Sequence, residues 1–146
     1  MKRLPECAGI LALLLTMAGC TTALTSYQER LEHSSMRDEL RAATGPAVSD
    51  VKVSVVAGDD VLVRVILIVD PELFRADELC TVAAAALEAV PFATQRLAFG
   101  LYPPGNARYL ETSDYFDELG VDSQHSQLGE AVLSWEDATA FAETCS

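Results

Sequence analysis

Four cysteines, Cys7, Cys20, Cys80 and Cys145, are the residues of this chain best suited to covalent chemistry. A thiolate is a soft nucleophile that forms thioethers and disulfides, and its surroundings decide which. No Cys-x-x-Cys pair occurs, so a dithiol redox centre of that kind is not indicated. Ser123, His125 and Ser126 bring a hydroxyl and an imidazole close in sequence. Nucleophilic hydrolysis also needs an oxyanion pocket and a turn that presents the serine, and no Gly-x-Ser-x-Gly elbow is present. The other histidine, His33, lies in a polar segment near the N-terminus. Beyond Arg108 there is no Lys or Arg, while Glu111, Asp114, Asp117, Glu118, Asp122, Glu130, Glu136, Asp137 and Glu143 follow. Asp114, Asp117, Glu118 and Asp122 offer oxygen ligands for Ca²⁺, but without the alternating ligands and central glycine of an EF-hand loop. A solvated acidic face is the preferred reading, with no metal and no cofactor expected. The adjacent Asp59 and Asp60 suit a turn better than an acid–base pair, because neighbouring side chains on a turn point apart.

The sharpest pattern is N-terminal. Lys2 and Arg3 precede an apolar run from Ile10 to Met17, then Ala18, Gly19 and Cys20. The run has signal-peptide length and falls short of the ~20 apolar residues of a spanning helix. Met17-Ala18-Gly19-Cys20 resembles the lipobox of bacterial lipoproteins, with Met17 where leucine is usual. The resemblance covers only the leader. It implies diacylglyceryl transfer to the Cys20 sulfur, cleavage between Gly19 and Cys20, and acylation of the new amino group with palmitate-like chains. One acyl chain binds a membrane marginally, whereas two or three hold durably. The alternatives are a secretory signal cleaved nearby and an uncleaved N-terminal anchor. Thr21 is not aspartate, which by the sorting habit of two-membrane bacteria permits transfer to the outer membrane. In a one-membrane cell the protein would stay on the outer face of the plasma membrane.

If Cys7 leaves with the leader and Cys20 carries lipid, Cys80 and Cys145 remain as a pair for an oxidising compartment. Each falls on the apolar face of its own expected helix, so a disulfide between them is the natural reading. Two separately buried thiols are the alternative.

The elements that must position these residues follow from periodicity. The 146-residue chain has a formal charge of -12 and is 50% hydrophobic, a composition that folds. Cleavage before Cys20 leaves about 127 residues, enough for one core. The acidic balance argues against nucleic acid and against electrostatic adhesion to anionic lipid. Tyr27 to Ala43 reads as a peripheral helix with a thin stripe of Met36, Leu40 and Ala43, stopped by Thr44-Gly45-Pro46. Val51, Val53 and Val55 alternate with polar residues, and Ala57-Gly58-Asp59-Asp60 turns the chain into Val61–Val69. That second strand, with Arg64 its one polar residue, reads as covered on both faces. Pro71 suits the start of a helix running to Val90, with Leu79, Cys80, Ala83, Ala86 and Leu87 on one face.

Gln95 to Tyr102 reads as a third strand ended by Pro103-Pro104. Tyr109-Leu110 suggests a short strand, Ser113 to Leu119 a short helix and 121–129 a loop. Ser134 with Asp137 resembles a capping box before a last helix bearing Trp135, Ala138, Phe141, Ala142 and Cys145. Tyr102, Pro103, Pro104, Tyr109, Tyr115 and Phe116 suggest an apolar groove or the closed end of a sheet.

The expected fold is α+β: a small, mostly antiparallel sheet with helices on one face. Residues 1–19 are the leader, 20–46 the lipidated N-terminus, tether and peripheral helix, and 47–146 the globular domain. The function expected is that of a membrane-anchored extracytoplasmic lipoprotein with a non-catalytic domain that binds an envelope protein or small ligand. An envelope enzyme or enzyme accessory, and a structural surface lipoprotein, are the competing expectations.

Overall fold

The protein is described by a computed structural model covering residues 33–90, 94–105 and 108–145. Gly19, Cys20 and the leader lie outside the described residues. Helix α1 (33–43) is followed by strands β1 (Val48–Val56) and β2 (Leu62–Val69), helix α2 (Asp77–Ala89) and strand β3 (Arg96–Tyr102). Helix α3 (Thr112–Glu118), strands β4 (Gln124–His125) and β5 (Ala131–Ser134), and helix α4 (Trp135–Thr144) complete the order. The fold is α+β, with a mostly antiparallel five-stranded sheet ordered β1-β2-β3-β5-β4. The β2–β3 pair is parallel, and α2 supplies the crossover that such a pair requires.

Register explains why one face is dry. Val63 pairs with Leu97, Val65 with Phe99 and Leu67 with Leu101, and all six are fully buried. Across the next ladder Leu97 meets Leu133 and Phe99 meets Ala131, extending the same apolar face. Leu79, Val82, Ala83 and Ala86 of α2 join these residues in one core with Phe116 of α3 and Ala138 and Phe141 of α4. The Phe116 ring links the layers, with ring centroids 5.7 Å from Phe99 and 5.3 Å from Phe141. Ala83 and Ala86 face this core from α2, and Phe116 and Phe141 fill it from α3 and α4. Helix α4 starts as its sequence suggests, with Ser134 Oγ accepting the Asp137 N–H at 3.0 Å. The same hydroxyl donates to Asp137 Oδ2 at 2.6 Å, so the acidic partner closes the cap through the side chain.

Four expectations are corrected. The thin stripe of α1 is core rather than periphery: Met36 is 1% and Leu40 0% exposed, and the compact unit begins at His33. Two large side chains one turn apart suffice to bring α1 into the same core cluster as Ala47, Val48 and Leu79. Second, β2 is not covered on both faces. Its residues alternate, with Val63, Val65, Leu67 and Val69 buried and Leu62, Arg64, Ile66 and Ile68 only half-buried. Third, α2 does not start at Pro71. Asp70 accepts the N–H of Glu72 on its carboxylate and those of Leu73 and Phe74 on its carbonyl, making a turn that seats Phe74 in the core. The helix begins only at Asp77. Fourth, the segment read as loop and ill-defined chain holds β4 and β5, strands of two and four residues too short for an alternating pattern to register. Leu110 forms a single bridge to Leu101 in place of a strand.

Candidate functional site

Cys80 and Cys145 are joined as a disulfide with Cα atoms 5.6 Å apart. Cys80 sits in the first turn of α2 and Cys145 at the C-cap of α4, so the bond ties the two helices that lie side by side on the sheet. It has a structural position: both sulfurs are engaged, and the pair closes a sequence separation of 65 residues.

The unexpected chemistry lies on the opposite face of the sheet. Residues alternating with the core set bring Lys52, Ser54, Leu62, Arg64, Ile66, Ile68, Arg96 and Tyr102 to this outer side. Among the described residues no helix covers it. At its centre Arg64 donates from Nε at 3.1 Å and Nη2 at 2.7 Å to Glu130 Oε1. The Arg64 side chain is 25% exposed and that of Glu130 4%, so the pair is largely withdrawn from water. Ser126 Oγ donates to Glu130 Oε2 at 3.4 Å and accepts the Glu130 N–H at 3.2 Å, holding the carboxylate from its own turn. Paired in this way, a buried charge avoids the full cost of desolvation.

Two glycines make room for this arrangement. A Cβ on Gly100 would stand 3.2 Å from Glu130 Cγ and 3.3 Å from the Tyr102 ring. Gly129 has φ +67°, and the Tyr109 ring occupies the space its Cβ would need. Tyr109 meets Tyr102 edge-on with centroids 6.3 Å apart, and the Arg108 guanidinium lies 5.6 Å from the Tyr109 centroid. Burial raises the Tyr102 hydroxyl above its ordinary pKa, and the Glu130 charge adds to the rise while Arg64 opposes it.

The residues noted in the sequence are dispersed. Ser123 is buried, His125 is exposed on β4, and the Ser126 hydroxyl is committed to Glu130, so these three form no nucleophile–base pair. Asp114, Asp117, Glu118 and Asp122 are exposed, and among the described residues no group of three or more His, Cys, Asp or Glu is placed to hold a metal ion. Asp60 reaches Arg96 at 3.6 Å, and Asp59 is exposed beside it in the turn. The aromatic set divides between the faces: Phe116 is core, Tyr115 packs on Phe74, and Tyr102 with Tyr109 stays on the outer side. A cavity of about 380 Å³ lies between the α1–β1 connection and α2, walled by Ala43, Pro46, Leu73, Glu78 and Thr81. Sequence reasoning singled out Arg64 but missed its partner. Glu130 sits in a run of acids and turn residues, where nothing marks the one carboxylate that becomes buried. No protein-family profile, no curated protein and no solved structure matches this chain.

Proposed function

We propose that this protein is a lipid-anchored extracytoplasmic lipoprotein whose α+β domain is a non-catalytic binding module. The anchor reading rests on Met17-Ala18-Gly19-Cys20 behind a short apolar run. The observation that carries the reading into the folded domain is the Cys80–Cys145 disulfide, since such bonds persist in oxidising compartments and are uncommon in the cytosol. Among the described residues no helix is long and apolar enough to cross a membrane, and acyl chains on Cys20 supply attachment.

The outer sheet face supports binding. Exposed acids crowd the helical side, where Asp77, Glu88, Asp114, Asp117, Glu118, Glu136 and Glu143 face solvent. The outer face instead offers half-buried Leu62, Ile66 and Ile68 with Lys52, Arg64 and Arg96 among them. An aliphatic surface with paired charges of both signs, Arg64 with Glu130 and Arg96 with Asp60, suits an envelope protein or small ligand. Expression of Cys20→Ser in the native cell tests the anchor. Acyl labelling and membrane recovery disappear on this reading, and membrane association unchanged by the substitution overturns it.

A further inference from the structure

We propose that β1 is the contact strand of a symmetric pair, in which Val53 to Val56 of one copy lie antiparallel to the same residues of a second copy. The inference goes beyond the lipoprotein reading and does not depend on the anchor. Strand β1 is one edge of the sheet, and among the described residues it pairs only with β2. The opposite edge, β4, is two residues long and offers no comparable row of backbone groups.

The phase of the β1–β2 hydrogen bonds decides which groups face outward. Asp70 N–H donates to the Ala47 carbonyl at 2.8 Å, so bonded positions start there and recur at every second residue. A bulge between Val48 and Asp50 absorbs one residue. Beyond it Lys52, Ser54 and Val56 bond β2, while Val51, Val53 and Val55 turn their N–H and C=O to the open side. Val51 agrees, since its N–H goes to the carboxylate of Asp50 at 2.9 Å. The bulge and this bond close the first half of the edge, as natural sheets do to block unwanted strands. Among the described residues no side chain bonds the N–H of Val53 or Val55.

These two open residues complement each other. A two-fold axis at Ser54 sets Val53 of each copy opposite Val55 of the other, and both pairs exchange N–H···O bonds. The half-buried valines then cover each other on the helix-bearing side. On the outer side Ser54 meets Ser54, and Lys52 lies opposite Val56, which is 47% exposed. Val56 leads into the hairpin tip, so the Lys52 stem covers Val56 while its ammonium reaches toward exposed Asp59 of the second copy. An axis one residue earlier, at Val53, would set the two Lys52 side chains on diagonal positions and require the Val51 N–H that Asp50 holds. Charge and hydrogen bonding therefore select the same register. The formal charge of -12 repels two copies at long range, but at physiological salt that repulsion is screened beyond about 8 Å.

Cysteine cross-linking of the full-length chain in intact cells tests this. Ser54→Cys on both copies brings Cα atoms to about 4.5 Å, within disulfide reach. Lys52→Cys residues would stand roughly 14 Å apart along the strands, too far to bond. After a membrane-permeant oxidant, Ser54→Cys should give about tenfold more dimer than Lys52→Cys or the wild-type chain. Adding Val53→Pro to Ser54→Cys should abolish that dimer by deleting an outward N–H. Its Tm should fall by less than about 5 °C, because no β1–β2 bond is lost. Equal cross-linking at positions 52 and 54 would indicate random collision and overturn the register. No dimer from Ser54→Cys, or its cross-linking to a different protein, overturns the self-pairing, and unfolding by Val53→Pro overturns the outward phase. Fractionation of Cys20→Ser reports separately on the anchor.

Discussion

Replacing the cross-link by Cys80→Ala/Cys145→Ala tests what the disulfide does for this fold. The bond closes a separation of 65 residues, and the loss of closure entropy from the unfolded chain is worth about 4 kcal/mol at 25 °C on the chain-entropy relation. Both cysteines are half-buried at the edge of the core, so truncating them adds little cavity cost. For a domain of this size such a loss lowers Tm by about 15 °C. The denaturant midpoint falls as well, and m rises, because an uncrosslinked unfolded chain exposes more surface. Guanidinium unfolding of oxidised and doubly substituted protein, followed by Trp135 fluorescence, measures both quantities. Hydrogen exchange localises the effect: α4 ends at Thr144, and its amides should lose protection before those of β2 and β3. A loss below about 1 kcal/mol with unchanged m would refute the reasoning. Packing of Ala138 and Phe141 would then hold α4 without help from the cross-link.

Leu40→Ala should destabilise by about 3 kcal/mol, because Leu40 is fully buried; a cost near zero by chemical denaturation would return α1 to the periphery. Glu130→Ala should cost about 3 kcal/mol by breaking a largely buried pair, whereas Arg64→Met/Glu130→Leu should fall much closer to wild type. A loss for Arg64→Met/Glu130→Leu equal to the sum of the losses of Arg64→Met and Glu130→Leu alone would show that the pair is not coupled. Tyr102 has a raised folded pKa, so the folded state holds its proton where the unfolded chain, near pH 10, has released it. The stability from this group is complete below pH 10 and declines as pH rises from there through the folded pKa. Ultraviolet titration of tyrosinate should therefore show a late phase that Tyr102→Phe removes, and a profile unchanged by the substitution would contradict the assignment.

The elements that follow a period were legible in the sequence, as β1, β2, β3, α2 and α4 show. Val51, Val53 and Val55 alternate, and Ser134 with Asp137 marks the last helix start, so local physics and final fold agree. The pairing of Cys80 with Cys145 was also legible, because both fall on faces that must meet the same sheet. What escaped was set by distant parts of the chain. A run of valine, leucine and isoleucine does not record whether its second face is covered, so β2 read as doubly buried. Residues 131–134 gain strand geometry only because β3 offers an unpaired edge to them. The Arg64–Glu130 pair joins residues 66 positions apart, and sequence spacing carries no signal for such a meeting. Arg96 carried no mark in the sequence and Ser123 stood out only beside His125 and Ser126, yet the ladder and the 121–124 segment place both at one cleft.

The lipid anchor depends on the chemistry at Cys20. Mass spectrometry of the N-terminal peptide from protein purified out of native membranes reads it in one measurement. The expected result is a chain that begins at Cys20 and carries a diacylglyceryl thioether, with residues 1–19 absent. A free Cys20 thiol, or a chain that begins at another residue, would contradict it.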